Sequence, residues 1–359
     1  MLIPSAEGRG LVNLVAELEA RLTGVSSAPR LEAGVARRIP DGPTAVLVLF
    51  DGLGADQARS HPAFRRSTVD VLHAPFPTTT TVSMATIATG RVAAGHGVIG
   101  HMMWLPEAES VVNVLKFVTP FGKPVDIDTT RLLPTPNLWE RLRHSGIEPV
   151  TVQPAAFDGT PLSRALYRGC RFEGVWNVAE MIDATVQLAA EPGRFVFTYW
   201  PSIDVAAHVS GQGSADHRRA MADGGRIWER LSTITSPVVG TADHGHVDYT
   251  QESKLLLRDS GMDGLTLFGD SRSLMVGGSA QVATGILDHT GATLVTPDEF
   301  RPWFGDDPRP HPQLAERLPD LVALAPDGRL LLPKGFDRRL IGYHGGLDRR
   351  EVEIPLLVH

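Results

Sequence analysis

Residues 44–50 read Thr-Ala-Val-Leu-Val-Leu-Phe and run directly into Asp51-Gly52-Leu53-Gly54. A short, almost wholly apolar run is how a strand buried on both faces of a parallel sheet reads. The abrupt change to a carboxylate and glycines marks its carboxyl end, where open α/β sheets place their sites. The pattern recurs along the chain. FVFTYW (195–200) runs into Pro201-Ser202-Ile203-Asp204, and PVVGTA (237–242) runs into Asp243-His244-Gly245-His246. IPLLV (354–358) reads as a last strand, preceded by Gly342-Tyr343-His344-Gly345. Between these, 11–22, 137–145 and 214–233 carry helical patterning. The alternation predicts an α/β layered fold with a largely parallel central sheet flanked by helices. One domain over 1–359 is expected, with 91–135 and 247–341 as cap or lid insertions.

Composition narrows the function. The 359 residues are 42% hydrophobic and 21% charged, which excludes a disordered or fibrous chain. Lys and Arg number 34 against 41 Asp and Glu, net −7, so a nucleic-acid polymer is not an expected partner. A single cysteine, Cys170, stands against 13 histidines. That excludes an intramolecular disulfide and a cysteine zinc cage, leaving His, Asp and Glu to hold any metal. The first ten residues show no basic segment followed by an apolar core. The apolar run 46–50 is far short of the roughly 20 residues a membrane helix needs. A cytoplasmic protein with no membrane partner is therefore expected.

Three motifs carry chemistry. Asp204-x-x-x-His208 puts a carboxylate and an imidazole on one face of a helical turn, a geometry suited to a shared ion, although such a pair alone more often reads as a polar pair at a helix start. Asp243 and His244 are adjacent and would point to opposite faces of a strand, but a loop beyond the strand end lets both converge. In Pro77-Thr78-Thr79-Thr80-Thr81 the β-branched residues disfavour helix, whereas VSMATIATG (82–90) reads as a short helix ending at Gly90. A hydroxyl at such a helix start either receives an anion or caps the helix.

The order of these pieces resembles the alkaline phosphatase superfamily, and within it the type I phosphodiesterase/nucleotide pyrophosphatase family. The resemblance rests on VLVLFDGLGADQ, FPTTTTVSMATIATGRVAAGHGVIGH, YWPSIDVAAHVSGQGS, TADHGH and LIGYHGG, from about residue 44 to the end. It implies a hydrolase of phosphate diester or pyrophosphate bonds, acting on a small phosphorylated substrate such as a nucleotide. It implies Thr80 as nucleophile, with Asp51, Asp243 and His244 as ligands of one divalent metal and Asp204, His208 and His344 of a second. Ligands that are all His and Asp suit zinc, with manganese or iron as substitutes. Two departures from the family pattern stand out. Ser83 replaces an Asn that contacts a phosphoryl oxygen, and Thr81 replaces an aromatic residue of nucleotide-preferring members. Ser83, Thr81 and His246 are the candidate substrate contacts.

A phosphomonoesterase or a phosphonate (C–P) hydrolase would use the same two-metal core, and a non-catalytic metal-binding protein would keep the same scaffold. A sulfatase is disfavoured because Cys170 lies in Gly-Cys-Arg-Phe. His96 and His101 read as loop wall; Trp104, Phe117 and Tyr343 read as packing or pocket wall. Arg164, Arg168 and Arg171 read as a solvated cluster, and Cys170 as an inert thiol.

Overall fold

All six residues of the Ala45–Phe50 strand are buried, as its apolar run predicts. The computed structural model that places it describes residues 1–257 and 264–359. This strand pairs in parallel with Arg194–Trp200 on one side and Val238–Thr241 on the other. Glu148–Pro154 and Arg171–Val175 extend the sheet in parallel beyond Arg194–Trp200. Seven strands result, with Thr68–His73 at the far edge.

The Glu353–Val358 strand is the exception, running antiparallel to both its neighbours, Val238–Thr241 and Thr68–His73. Chain length explains the direction. His344 lies at the carboxyl end of the sheet, and only eight residues separate it from Glu353. A parallel return needs a crossover of about a dozen residues or more, so the chain can only re-enter running backwards.

Helices cover the sheet. Leu11–Thr23, Leu138–His144 and Ala215–Leu231 form where the periodicity places them. The Thr80–Thr89 helix starts two residues earlier than its sequence suggests. The helical penalty of a β-branched residue is only a few tenths of a kcal/mol and is overridden by packing. Every residue from Thr81 to Thr89 is buried, and Thr86 and Thr89 donate their hydroxyls to the carbonyls of Val82 and Ala85 at 3.0 and 2.7 Å.

A separate six-stranded antiparallel sheet draws on both stretches read as insertions. Met102–Leu105 and Ser110–Asn113 come from the first, and Thr266–Gly269, Ser273–Gly277, Thr293–Val295 and Leu321–Leu324 from the second. Gly269 pairs with Met102, so the two stretches join in one sheet. Residues 258–263 of the second stretch lie outside those described. Among the described residues no helix is long and apolar enough to cross a membrane.

Glu351, in the capping box of the Arg349–Val352 helix, is fully buried. Burial pushes its carboxyl from 4.5 up to about 7, against the opposing charge of Arg272. The folded protein thus keeps a proton that the unfolded chain releases. The contribution is whole at acid pH and is lost as pH rises through about 7, by up to roughly 3 kcal/mol. Thermal unfolding of Glu351→Gln should therefore show a shallower decline between about pH 5 and pH 8 than wild type. A variant that keeps the full decline would remove Glu351 as its source.

Candidate active site

Three neighbouring parallel strands end on the same edge of the sheet, and each delivers part of one constellation. Asp51 follows Ala45–Phe50, Asp243 and His244 follow Val238–Thr241, and the Ser202–Ser210 helix follows Arg194–Trp200. Backbone bonds lock the ends together: Asp51 N–H donates to the Trp200 carbonyl and Asp204 N–H to the Asp51 carbonyl, both at 3.0 Å. Between them Gly52 sits at φ +76°, and a Cβ there would lie 2.9 Å from Asp204 Cα. Only glycine meets both the left-handed backbone and the close approach.

One oxygen of each buried carboxylate is held by the protein. Asp243 Oδ1 accepts the N–H groups of Gly52 and His244 at 2.9 and 3.0 Å. Asp51 Oδ2 accepts the Tyr199 hydroxyl. The other oxygens, Asp51 Oδ1 and Asp243 Oδ2, are buried without any hydrogen-bond partner. His244 Nε2 faces both, at 3.7 and 3.2 Å. Burial first, then the charges of Asp243 and Asp204, hold the Asp51 carboxyl well above the usual range.

The second group forms around Asp204. His208 lies one turn further along the same helix, its Nε2 3.4 Å from Asp204 Oδ1. His344 Nε2 stands 3.1 Å from His208 Nε2 and 3.8 Å from Asp204 Oδ1. Burial pushes the Asp204 carboxyl up, but His208, His246 and His344 outweigh it and hold the group well below the usual range.

Carbonyl partners decide the tautomers. His208 Nδ1 lies 2.7 Å from the Gly342 carbonyl, His344 Nδ1 2.8 Å from the Thr78 carbonyl and His244 Nδ1 3.2 Å from the Gly245 carbonyl. A carbonyl only accepts, so each Nδ1 carries a proton, and in the neutral ring each Nε2 turns a lone pair inward. His246 is different. Its Nε2 is 2.6 Å from Asp204 Oδ1 while its Nδ1 has no partner, so it donates to that carboxylate and holds it in place.

This donor arrangement fits divalent cations. Two buried His/Asp clusters, one of Asp51, Asp243 and His244 and one including Asp204, His244, His246 and His344, bring ligand atoms within 4.8 Å of one another. Inward imidazole lone pairs fixed by carbonyls behind them are what metal ligation requires. Orphaned carboxylate oxygens buried beside them would otherwise stand as a large cost.

Thr80 opens the buried helix at the edge of this constellation. It is half-buried, and its Oγ1 lies 3.2 Å from His244 Nε2. In the neutral ring that nitrogen accepts, and the hydroxyl donates to it. Thr79 precedes the helix in an extended conformation and makes no side-chain cap, so the first N–H groups are not closed off by its hydroxyl.

The candidate substrate contacts divide. Thr81 lines the cavity above the site, although its hydroxyl is committed to the Gly100 carbonyl at 2.9 Å. Ser83 is fully buried, donating to the Asp243 carbonyl at 2.8 Å, and does not line the cavity. Its hydroxyl braces the loop that carries Asp243. His246 also lies behind the cavity wall, engaged with Asp204. Sequence reading passes over Tyr199, although a tyrosine beside the end of an otherwise apolar strand is a visible signal. The parallel register that sets Leu49 opposite Tyr199 brings its hydroxyl to Asp51.

The other candidates lie outside the two donor groups. His96 is buried, with Thr86 Oγ1 and Val98 N–H at its two nitrogens. Arg168 pairs with Glu140 and Arg171 with Glu173, each at 2.9 Å. Burial pushes the Cys170 thiol up, away from reactivity. Tyr343 and His101 line the cavity, whereas Trp104 and Phe117 do not.

The family model described as "Type I phosphodiesterase / nucleotide pyrophosphatase" matches residues 45–260. Human ectonucleotide pyrophosphatase / phosphodiesterase 5 superposes with a TM-score of 0.67 at 19% identity, over 88% of this chain and 87% of that one. The murine protein gives the same score at 18% identity and the same coverage. Phosphonoacetate hydrolase from Sinorhizobium meliloti, in complex with phosphonoacetate, gives 0.64 at 18% identity over 89% of this chain and 90% of that one. No curated protein matches by sequence. At these identities the structures share the fold, an alkaline-phosphatase-like α/β architecture with a mostly parallel seven-stranded sheet. The sequence match covers more than half of the chain and spans Asp51 to His244: the chain belongs to the type I phosphodiesterase/nucleotide pyrophosphatase family of enzymes.

Proposed function

We propose that the chain is a metal-dependent hydrolase of phosphate diester or pyrophosphate bonds, with Thr80 as its nucleophile. The observation that carries this reading is the Thr80 hydroxyl, half-buried at a helix start and 3.2 Å from His244 Nε2 at the edge of the two donor groups. Asp51, Asp243 and His244 would hold one divalent ion and Asp204, His208 and His344 the other, with zinc suited to the all-His/Asp set. His246 would brace Asp204 by the hydrogen bond it donates. When bound, such ions lower the pKa of a nearby hydroxyl and neutralise the phosphoryl charge.

Thr80 Oγ forms a bond to phosphorus as the bond to the leaving oxygen breaks. Water then cleaves the threonine ester, releasing a phosphomonoester and restoring the hydroxyl. The start of the Thr80–Thr89 helix would favour the negative charge gathered on the phosphoryl oxygens. Support by analogy comes from the murine relative, whose inactive threonine-to-alanine variant is found with AMP.

The test is metal analysis of the purified protein, followed by hydrolysis of bis(4-nitrophenyl) phosphate against 4-nitrophenyl phosphate. About two metals per chain and diester preference are expected. Monoester preference would overturn the diesterase assignment. Absence of metal together with chelator-insensitive or absent turnover would overturn the mechanism.

A further inference from the structure

The cavity above Thr80 has a volume of about 610 Å³. That is room for a drug-sized or nucleotide-sized molecule, far more than one phosphoryl group fills. Asp204, His208 and His344 form one wall, and residues from the turn after the Ser110–Asn113 strand form another. Among the described residues that line it, Lys116 is the single Lys or Arg.

Lys116 is presented by a built turn. Asn113 Oδ1 accepts the backbone N–H groups of both Leu115 and Lys116 at 3.1 Å. Asn113 Nδ2 in turn lies 3.1 Å from His101 Nε2, on the cavity wall. Phe117 is buried at φ +53°, a left-handed conformation rare for a bulky side chain. Burying that ring fixes the direction in which its neighbours point.

The Lys116 side chain is exposed, and its ammonium makes no hydrogen bond or ion pair with any described residue. Asp337, the cavity carboxylate whose titration its charge affects, is already engaged by Arg339 at 2.7 and 3.0 Å. Apolar side chains flank it at the cavity mouth: Leu115, Val205 and Val209 are 41%, 55% and 63% exposed. Val205 and Val209 are spaced one turn apart, directly after Asp204 and His208 on the same helix.

We propose that Lys116 is the specificity-determining residue of the cavity, binding a second anionic group on a substrate whose scissile phosphoryl group lies at Thr80. This rests on the hydrolase reading above. It deepens it by selecting substrates whose leaving side bears a further phosphate or carboxylate, such as a pyrophosphate linkage, over esters of neutral alcohols. The exposed apolar rim would cover the organic part of such a molecule.

Binding tests the subsite without requiring turnover. In zinc-loaded Thr80→Ala protein, the affinities of inorganic phosphate, inorganic pyrophosphate and phosphonoacetate are measured by calorimetry, with and without Lys116→Ala or Lys116→Arg. Lys116→Ala should weaken pyrophosphate, phosphonoacetate or both by about ten-fold while phosphate changes less than about two-fold, and Lys116→Arg should restore the difference. Loss for pyrophosphate alone identifies a phosphate as the second anion, and loss for phosphonoacetate alone a carboxylate. Equal loss for all three ligands, or loss for none, overturns the proposal.

In the Thr80-containing enzyme, Lys116→Ala should raise KM for a pyrophosphate-linked dinucleotide while leaving bis(4-nitrophenyl) phosphate within about two-fold. If that enzyme turns over neither substrate, the hydrolase reading fails while the calorimetric result still decides the role of Lys116.

Discussion

Thr80→Ala should lose at least about a thousand-fold in kcat on an aryl phosphodiester while keeping about two metals per chain. The two halves of this expectation have separate physical origins. Turnover falls because no other hydroxyl takes the place of Thr80: Thr81 is tied to the Gly100 carbonyl, and Ser83 is buried under Asp243. Metal content holds because Thr80 touches the donor groups at one point, 3.2 Å from His244 Nε2, and six carboxylate and imidazole side chains remain. Thr81→Ala is the control. It removes one buried hydrogen bond, about 1 kcal/mol, from the loop after the helix start and should keep activity within about ten-fold. Residual activity of Thr80→Ala near wild type, with metal retained, would show that water attacks directly and that Thr80 only lines the site.

The parts of the molecule legible in the sequence are those where one local pattern decides the outcome. Ala45–Phe50 is legible because a strand buried on both faces admits nothing but apolar residues. The carboxylates at the strand ends are legible because charge stops such runs abruptly. The direction of Glu353–Val358 is not, since nothing within IPLLV records where the preceding chain lies. It follows only once His344 is known to sit at the carboxyl edge. The joining of 102–113 with 266–324 in one sheet is equally invisible, because antiparallel partners more than 150 residues apart leave no mark on each other's periodicity.

The site divides in the same way. Identities of the carboxylates and imidazoles come from motif order, but their roles depend on which ring nitrogen meets a carbonyl. His208 and His246 look interchangeable as letters. Gly342 behind one and Asp204 in front of the other make the first a lone-pair donor and the second a brace. Ser83 shows the converse: it stands at a family position that suggests a phosphoryl contact, and in the folded chain its hydroxyl donates to the Asp243 carbonyl.

Replacing Asp243 by Asn should shrink the loss of stability that chelation causes. In the wild-type protein, Asp51 Oδ1 and Asp243 Oδ2 are buried side by side without hydrogen-bond partners. A bound cation would offset that unpaired charge, so its removal would expose the cost of burying it. A ligand held at about a hundred times its Kd contributes about 2.7 kcal/mol, which for a chain of 359 residues corresponds to a fall in Tm of roughly 3–4 °C on chelation. In Asp243→Asn the amide oxygen still accepts the N–H groups of Gly52 and His244 that Asp243 Oδ1 accepts at 2.9 and 3.0 Å. Its NH2 group replaces the orphaned oxygen and can donate to Asp51. The variant should therefore lose metal from this group and most of its activity, yet in chelator it should melt at or above the temperature of chelated wild type. Thermal unfolding of both proteins, with zinc and with EDTA, measures all four states. A wild-type Tm indifferent to EDTA, or a chelated variant several degrees less stable than chelated wild type, would mean that the carboxylates are satisfied without a cation and that the cluster is not built to hold one.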